Sequence, residues 1–253
     1  MKRGFLYTAI FVSCFSVSLI LHLPASFALK QLPPVRGLVI EGIDGSLWQG
    51  SATAVSWNNV NYGAVQWDFQ FAKLLQAKAE VAVRFGRQSD MDLRGKGFIG
   101  YSFGGAYVEN LVAAIPAEKV LDYAPAIPVP LTVSGQLELT VRHAVHAQPW
   151  CQTAEGTLAW SNSGVESPLG ALNLGPVIAD IVCVDNNITV KGEQSSLEVN
   201  SEFSAQLGNN KHYSASAWFK PEAEFPSAMG SQLKWLGSPN NQGQYQFNYQ
   251  GKL

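Results

Sequence analysis

Charge is scarce in this chain. Of 253 residues, 14% are Asp, Glu, Lys or Arg, against about 25% in an ordinary soluble domain, so the polar surface must be built from Ser, Thr, Asn, Gln and Gly. Basic residues number 17 against 19 acidic ones, for a net charge of −2. No basic cluster offers the phosphate-neutralising footprint on which nucleic-acid binding relies, which argues against such a partner. Cysteine is nearly absent: Cys14, Cys151 and Cys183 stand alone, with no CxxC and no Cys/His cluster, which excludes a zinc ribbon or finger. Helical periodicity is confined to short stretches at 71–76, 109–114, 117–123 and 229–236, none reaching the roughly 11-residue mean of a globular helix. Pro125, Pro128 and Pro130 mark an extended passage near mid-chain.

One long apolar run stands against these shortages. After Lys2 and Arg3 the next formal charge is Lys30, and residues 5–23 form a 19-residue apolar stretch. As a helix it would be about 28 Å long, close to the hydrocarbon thickness of a bilayer. That length favours a retained anchor over a cleaved signal peptide, although Ser26-Phe27-Ala28 would serve as a cleavage site. The two basic residues hold residues 1–4 in the cytoplasm, so the chain from residue 24 to residue 253 is expected outside. There it carries 15 Lys and Arg against 19 Asp and Glu. In that oxidising compartment Cys151 and Cys183 are expected to join, the alternative being two separate buried thiols. Cys14 lies inside the apolar run and reads as a small apolar residue.

The remainder alternates with a period of two, the sign of half-buried strands. Stretches 37–43, 51–57, 64–71, 77–85, 132–141, 156–160, 188–192, 196–206 and 214–219 all read this way. Asp44-Gly45, Asn58-Asn59, Gly104-Gly105, Asn186-Asn187 and Gly208-Asn209-Asn210 punctuate them as turns, so neighbouring strands should be antiparallel. Hairpin pieces with a glycine shortly before a tryptophan recur at 45–48, 63–67 and 156–160. The expected fold is mostly β: an N-terminal transmembrane helix followed by a long curved antiparallel β-sheet domain with a few short helices.

The order of several motifs resembles a known family. LPA at 23–25, GIDGSLWQGSA at 42–52, YGAVQWDFQFAKLLQAKAEVAV at 62–83 and LKWLGSPNNQGQYQFNYQGKL at 233–253 are similar to protein N of the type II secretion system, along nearly the whole chain. Cys151 and Cys183 around the EGTLAW strand also fit that pattern. The resemblance implies an inner-membrane protein with one span and a periplasmic domain, an accessory or scaffold part of the machine that moves folded proteins across the outer membrane. It implies other secretion-system components as partners, both inner-membrane and secretin-associated, and no enzyme activity, cofactor, metal or small-molecule substrate. The residues that carry the motif are Gly45, Leu47, Trp48, Gly50, Trp67, Trp235 and Gly237. Trp48, between two glycines, reads either as a core ring beneath a hairpin or as a partner contact. The Gln-, Asn- and Tyr-rich tail reads as a terminal strand with an edge that is either covered or free to pair.

One motif points to chemistry. Gly100-Tyr101-Ser102-Phe103-Gly104 matches GxSxG, the nucleophile elbow, and His143 or His146 with Asp122 could complete a triad. The preceding stretch is charged and glycine-rich, however, and no HGG-type loop precedes it, so Ser102 is not expected to act. His143 and His146 fall on opposite faces of a strand and cannot chelate one metal. Asn187-Ile188-Thr189 is a glycosylation sequon that reads here as a strand start. An alternative function is an AsmA-like envelope protein that handles lipid in an apolar β groove, a fold-level analogy. Val65, Trp67, Phe69 and Phe71, with Leu137, Leu139 and Val141, supply one apolar face. Under the scaffold reading that face is expected to be covered by the protein's own short helices and a second sheet half.

Overall fold

The computed structural model describes residues 21–31, 33–121 and 130–252, with a few positions before residue 21. The expected span at 5–23 falls largely outside them, as do Asp122, Pro125 and Pro128. Among the described residues no helix is long and apolar enough to cross a membrane.

In chain order the elements are α1 (Ala25–Lys30), β1 (Leu38–Glu41), β2 (Asp44–Gly45), β3 (Gln49–Ala52), β4 (Ala54–Trp57), β5 (Val60–Asn61), β6 (Ala64–Phe69), β7 (Ala79–Arg87), β8 (Arg94–Ser102) and β9 (Gly105–Pro116). There follow α2 (Ala117–Leu121), β10 (Thr132–Val145), β11 (Thr153–Ser167), β12 (Gly170–Val184), β13 (Asn187–Ser195), β14 (Val199–Leu207), β15 (His212–Pro221), α3 (Ser227–Gly230) and β16 (Tyr245–Lys252). Two 3-10 turns, Phe71–Gln76 and Leu233–Leu236, complete the set among the described residues. The stretch expected as one strand at 51–57 breaks at Thr53, whose backbone N–H and hydroxyl both bond the Glu41 carbonyl. β3 on one side of that break joins a 13-stranded sheet, and β4 on the other joins a small three-stranded one with β1 and β5.

The large sheet runs β16-β15-β14-β13-β12-β11-β10-β9-β8-β7-β6-β3-β2, antiparallel throughout. Its twelve spacings of about 4.8 Å cover about 58 Å. Because residues directly opposite share a face, the register assigns the faces. One row reads Ala52, Val65, Phe85, Gly95, Ala113, Leu139, Leu158, Ala179, Gly192, Phe203, Ala217, Phe247, crossing from β3 to β16 without a polar side chain. The row behind it, on the opposite face, reads Ser51, Gln66, Arg84, Lys96, Val112, Thr140, Thr157, Asp180, Lys191, Ser204, Ser216, Asn248. Only Val112 interrupts its polarity. The two faces thus alternate as they do in an antiparallel sheet with one solvated side.

Glycine on the apolar face serves the rings beside it. Phe85 lies over Gly95, Phe203 over Gly192 and Trp67 over Gly50, each ring occupying the space a Cβ would need. A large ring laid flat on a bare neighbour fills the face without a second layer, the aromatic-rescue device of designed sheets.

Two expectations are corrected. The stretch 109–114 is part of β9, not a helix. Among the described residues the large sheet is not divided into two halves that face each other: its 13 strands are continuous. Among the described residues the fully buried apolar side chains are few: Ala25, Ala52, Tyr107, Ala117, Ala179, Cys183 and Val199. The chain exposes 16983 Å², where a compact monomer of its mass exposes about 11,000 Å².

Candidate functional site

Three features of this sheet stand out: a clasp at its first edge, the apolar face, and a buried charge cluster. The clasp follows from the turn chemistry of the GSLWQG segment. Gly45 takes φ +88°, and a Cβ there would meet the Gln49 carbonyl oxygen at 2.5 Å and the Gly50 Cα at 2.8 Å. Ser46 Oγ accepts the backbone N–H of Trp48 at 3.3 Å and of Gln49 at 3.1 Å, which closes the turn. The Ser46 carbonyl accepts the Trp67 indole N–H at 3.2 Å. Leu47 N–H then donates to the Leu23 carbonyl at 2.9 Å, and Pro24 forms a bridge to Ser46. The segment that leaves the apolar N-terminal run is therefore pinned on the first edge of the sheet. Ala25 is buried there.

Above the clasp, the rings of Trp48, Phe69 and Phe71 meet pairwise with centroids 5.0 to 5.2 Å apart. The next turn carries Leu74 and Leu75 outward, and Leu75 is 93% exposed. Leu47, Phe71, Leu74 and Leu75 make an exposed apolar collar on the clasped end. The structure thus brings together Gly45, Leu47, Trp48, Gly50 and Trp67. Trp235 and Gly237 sit apart, in the connection between β15 and β16 that borders the opposite edge. The contacts of Trp235 are local: its indole N–H donates to Gln232 Oε1 at 3.1 Å, and Lys234 Nζ lies 5.5 Å from its ring.

The charge cluster lies on the polar face and left little signal in the sequence. Glu80 on β7 pairs with Gly100 on β8, which pairs with Tyr107 on β9. The Tyr107 ring lies across Gly100, where any Cβ would meet it, and its hydroxyl donates to Glu80 Oε2 at 2.9 Å. Lys73 Nζ reaches Glu80 Oε1 at 3.3 Å. Lys78 Nζ sits 3.2 Å from Glu109 and 5.0 Å from the Tyr107 ring centroid. Glu80 is 1% exposed. Burial, reinforced by the bond to Glu80, pushes the Tyr107 phenol up to about 12. The one clue in the chain was an acidic residue in the otherwise apolar strand AEVAV.

That arrangement also accounts for the GxSxG match. Gly100 is glycine because Tyr107 covers it, and Phe103 and Gly104 turn β8 directly into β9. Ser102 Oγ accepts the Gly104 N–H at 3.3 Å. Strand, turn and strand replace the strand, turn and helix that an elbow requires. We expect Ser102→Ala to leave secretion unchanged and a fluorophosphonate probe to leave Ser102 unlabelled; mass spectrometry of the treated chain and a secretion assay check both. His143 faces Glu109 at 3.8 Å, while a His146 ring nitrogen lies 3.2 Å from the Trp150 carbonyl, so the two have separate partners. Among the described residues no group of three or more His, Cys, Asp or Glu is placed to hold a metal.

Cys151 and Cys183 are joined, with Cα atoms 6.4 Å apart. The loop that carries Cys151 is fastened to two other turns at the same end of the sheet. Asn186 Oδ1 accepts the backbone N–H groups of Trp150 and Cys151 at 3.1 Å each, and the Trp150 indole donates to the Gly208 carbonyl at 3.3 Å.

Fold and site define a class: a single-layer antiparallel sheet with one apolar face, clasped at one edge by its own N-terminal segment. The family described as type II secretion system (T2SS), protein N matches residues 36–248, and the chain belongs to it. It is 44% identical over 253 residues to type II secretion system protein N of Vibrio cholerae serotype O1, covering all of both chains. The protein of the same name from Aeromonas hydrophila is 32% identical over 255 residues, again covering all of both chains, and that from Pectobacterium carotovorum subsp. carotovorum is 24% identical over 254 residues, 100% of this chain and 99% of the other. No solved structure matches the chain. The chain is thus a component of type II secretion, a system whose parts work in contact with one another, and its family is not one of known enzymes.

Proposed function

We propose that the protein is an accessory scaffold of the type II secretion system. Residues 5–23 anchor it in the inner membrane, and residues 24–253 form a periplasmic domain that supports export of folded proteins across the outer membrane. The observation that carries this reading is the clasp. Leu23, the last residue of the apolar run, and Pro24, the first after it, bond Leu47 and Ser46, so a membrane anchor would hold the first edge of the sheet at the bilayer surface. The exposed collar of Leu47, Phe71, Leu74 and Leu75 suits that position, where apolar and aromatic side chains meet the headgroup region.

The test combines extraction with complementation. The mature chain is expected to keep Met1 and to resist alkaline carbonate, and a chromosomal deletion is expected to lower secretion until the full chain is restored. A mature N-terminus at Leu29 with soluble protein would overturn the anchor, and undiminished secretion in the deletion strain would overturn the supporting role.

The long apolar face favours a second reading, in which the sheet holds acyl chains. At about 53 Å along the row from β3 to β16 and about 10 Å or more along each strand, it covers about 500 Å² or more, at or above the largest contiguous apolar patch of a typical soluble monomer. Native mass spectrometry of the full chain separates the two readings: stoichiometric phospholipid favours the carrier and its absence the scaffold.

A further inference from the structure

The two edges of the large sheet are finished differently. At one end, β2 is two residues long and the turn that follows it is tied to Leu23 and Pro24. At the other end, β16 pairs with β15 along its full length, from Tyr245 against Phe219 to Lys252 against His212, and nothing follows it in the sheet. Natural edges are blunted by proline, inward charge, bulges or shortness. β16 has none of these: YQFNYQGK is eight residues, regular, free of proline, and charged only at Lys252. Residues 246–250 are all exposed, and among the described residues no strand pairs with the outer edge of β16.

The strand is also complementary to itself. A two-fold axis through Asn248, perpendicular to the sheet, sets Asn248 opposite Asn248, Phe247 opposite Tyr249, Gln246 opposite Gln250 and Tyr245 opposite Gly251. The central pairs of that register are favourable. Aromatic residues meet on the apolar face and uncharged amides meet on the polar face. No like charges oppose one another within residues 245–251. Antiparallel pairing about a two-fold opposes residues of equal parity, so apolar face joins apolar face in any such register. Eight added residues per chain form about eight inter-chain hydrogen bonds.

We propose that β16 is a homodimerisation edge, at which two copies join in antiparallel register about Asn248 into one continuous sheet. With the opposite edge clasped, the contact is isologous and closes at two copies; an open edge at each end would have propagated a fibre. The two clasped edges then lie at opposite ends of the joined sheet, at most about 120 Å apart.

The test uses the full chain purified in detergent, independent of the secretion phenotype. In a Cys14→Ser background, Asn248→Cys is expected to yield a disulfide-linked dimer under mild oxidation, because the two Cβ atoms lie about 5 Å apart across the axis. Gln66→Cys, exposed on the same face but far from the edge, is expected to stay monomeric on a non-reducing gel. Asn248→Lys and Asn248→Glu each set like charges directly opposite and should weaken self-association about fivefold or more, as read by light scattering coupled to size exclusion. Mixing the two variants should restore the dimer. Circular dichroism matching the unsubstituted chain shows that the variants fold. A monomeric unsubstituted chain, equal cross-linking at positions 66 and 248, or a dimer indifferent to both charge variants would overturn the proposal.

Discussion

Replacing Cys183 by serine is expected to destabilise the β11–β12 region by about 3 to 4 kcal/mol, the loop-closure entropy of a bridge of this span. The bridge joins residues 32 apart in sequence. Cys183 is buried on the apolar face, in register with Ala154 and Ile188, and its Sγ lies 3.4 Å from the Cys151 carbonyl, the acceptor nearest to a serine hydroxyl placed there. The effect should reach beyond the pair, since Trp150 and Cys151 hold Asn186 and Gly208 from the neighbouring turns. Amide exchange of β11 to β14 in rising urea is the measurement. Reduction of the unsubstituted chain should reproduce the serine variant, and Cys14→Ser should leave exchange unaltered. Unchanged protection in Cys183→Ser would show that the turn hydrogen bonds suffice.

The second large effect is expected at Glu80. Replacement by leucine leaves the Tyr107 hydroxyl without its acceptor in a buried setting, and separates Lys73 from its counter-charge. An orphaned buried hydroxyl costs about 1 to 3 kcal/mol, and removal of one partner from a buried ion pair up to about 3 to 5 kcal/mol. Lys73 is a third exposed and turns to water, which lowers the second figure, so a loss of about 2 to 4 kcal/mol is expected. Glu80→Gln keeps an acceptor for Tyr107 and should lose less. The same contact sets an alkaline limit. The Tyr107 phenol is raised from 10.0 to about 12, so its contribution is complete below pH 10 and is lost as the pH rises through about 12. Equal urea midpoints for Glu80→Leu and the unsubstituted chain would refute the role given to this cluster.

Most strands were legible because the sheet is two-faced and a two-faced strand alternates. The strands that escaped have identifiable reasons. In β8, Gly95, Gly97 and Gly100 occupy positions where alternation would show side chains, because Phe85, Leu111 and Tyr107 fill that space from neighbouring strands. In β9, Asn110 takes φ +49° at an irregularity in the pairing, which shifts the phase of the pattern. Val108, Leu111, Val112 and Ile115 then fall at the spacing of a helix, and the stretch imitates one. In β12 both faces are apolar, with Ile178, Val182 and Val184 exposed opposite Ala179, Ile181 and Cys183, so the period of two vanishes. The clasp was visible in the sequence as a motif without a partner. Glu80 and Tyr107, 27 residues apart, share a site only through the register of three strands, which no local pattern encodes.

The order of strands bears on how the molecule is made. From β6 to β16 every strand pairs with its predecessor in the chain, and the pairing of β3 with β6 skips only the small β4–β5 hairpin. Such nearest-neighbour connectivity keeps loop closures short, the circumstance in which β structure forms fastest and stability accumulates unit by unit as in a repeat array. A chain synthesised from its N-terminus can close the clasp first and then lay each new strand on the last. The growing front is a bare edge at every stage, and β16, the final strand to be added, is where that front comes to rest.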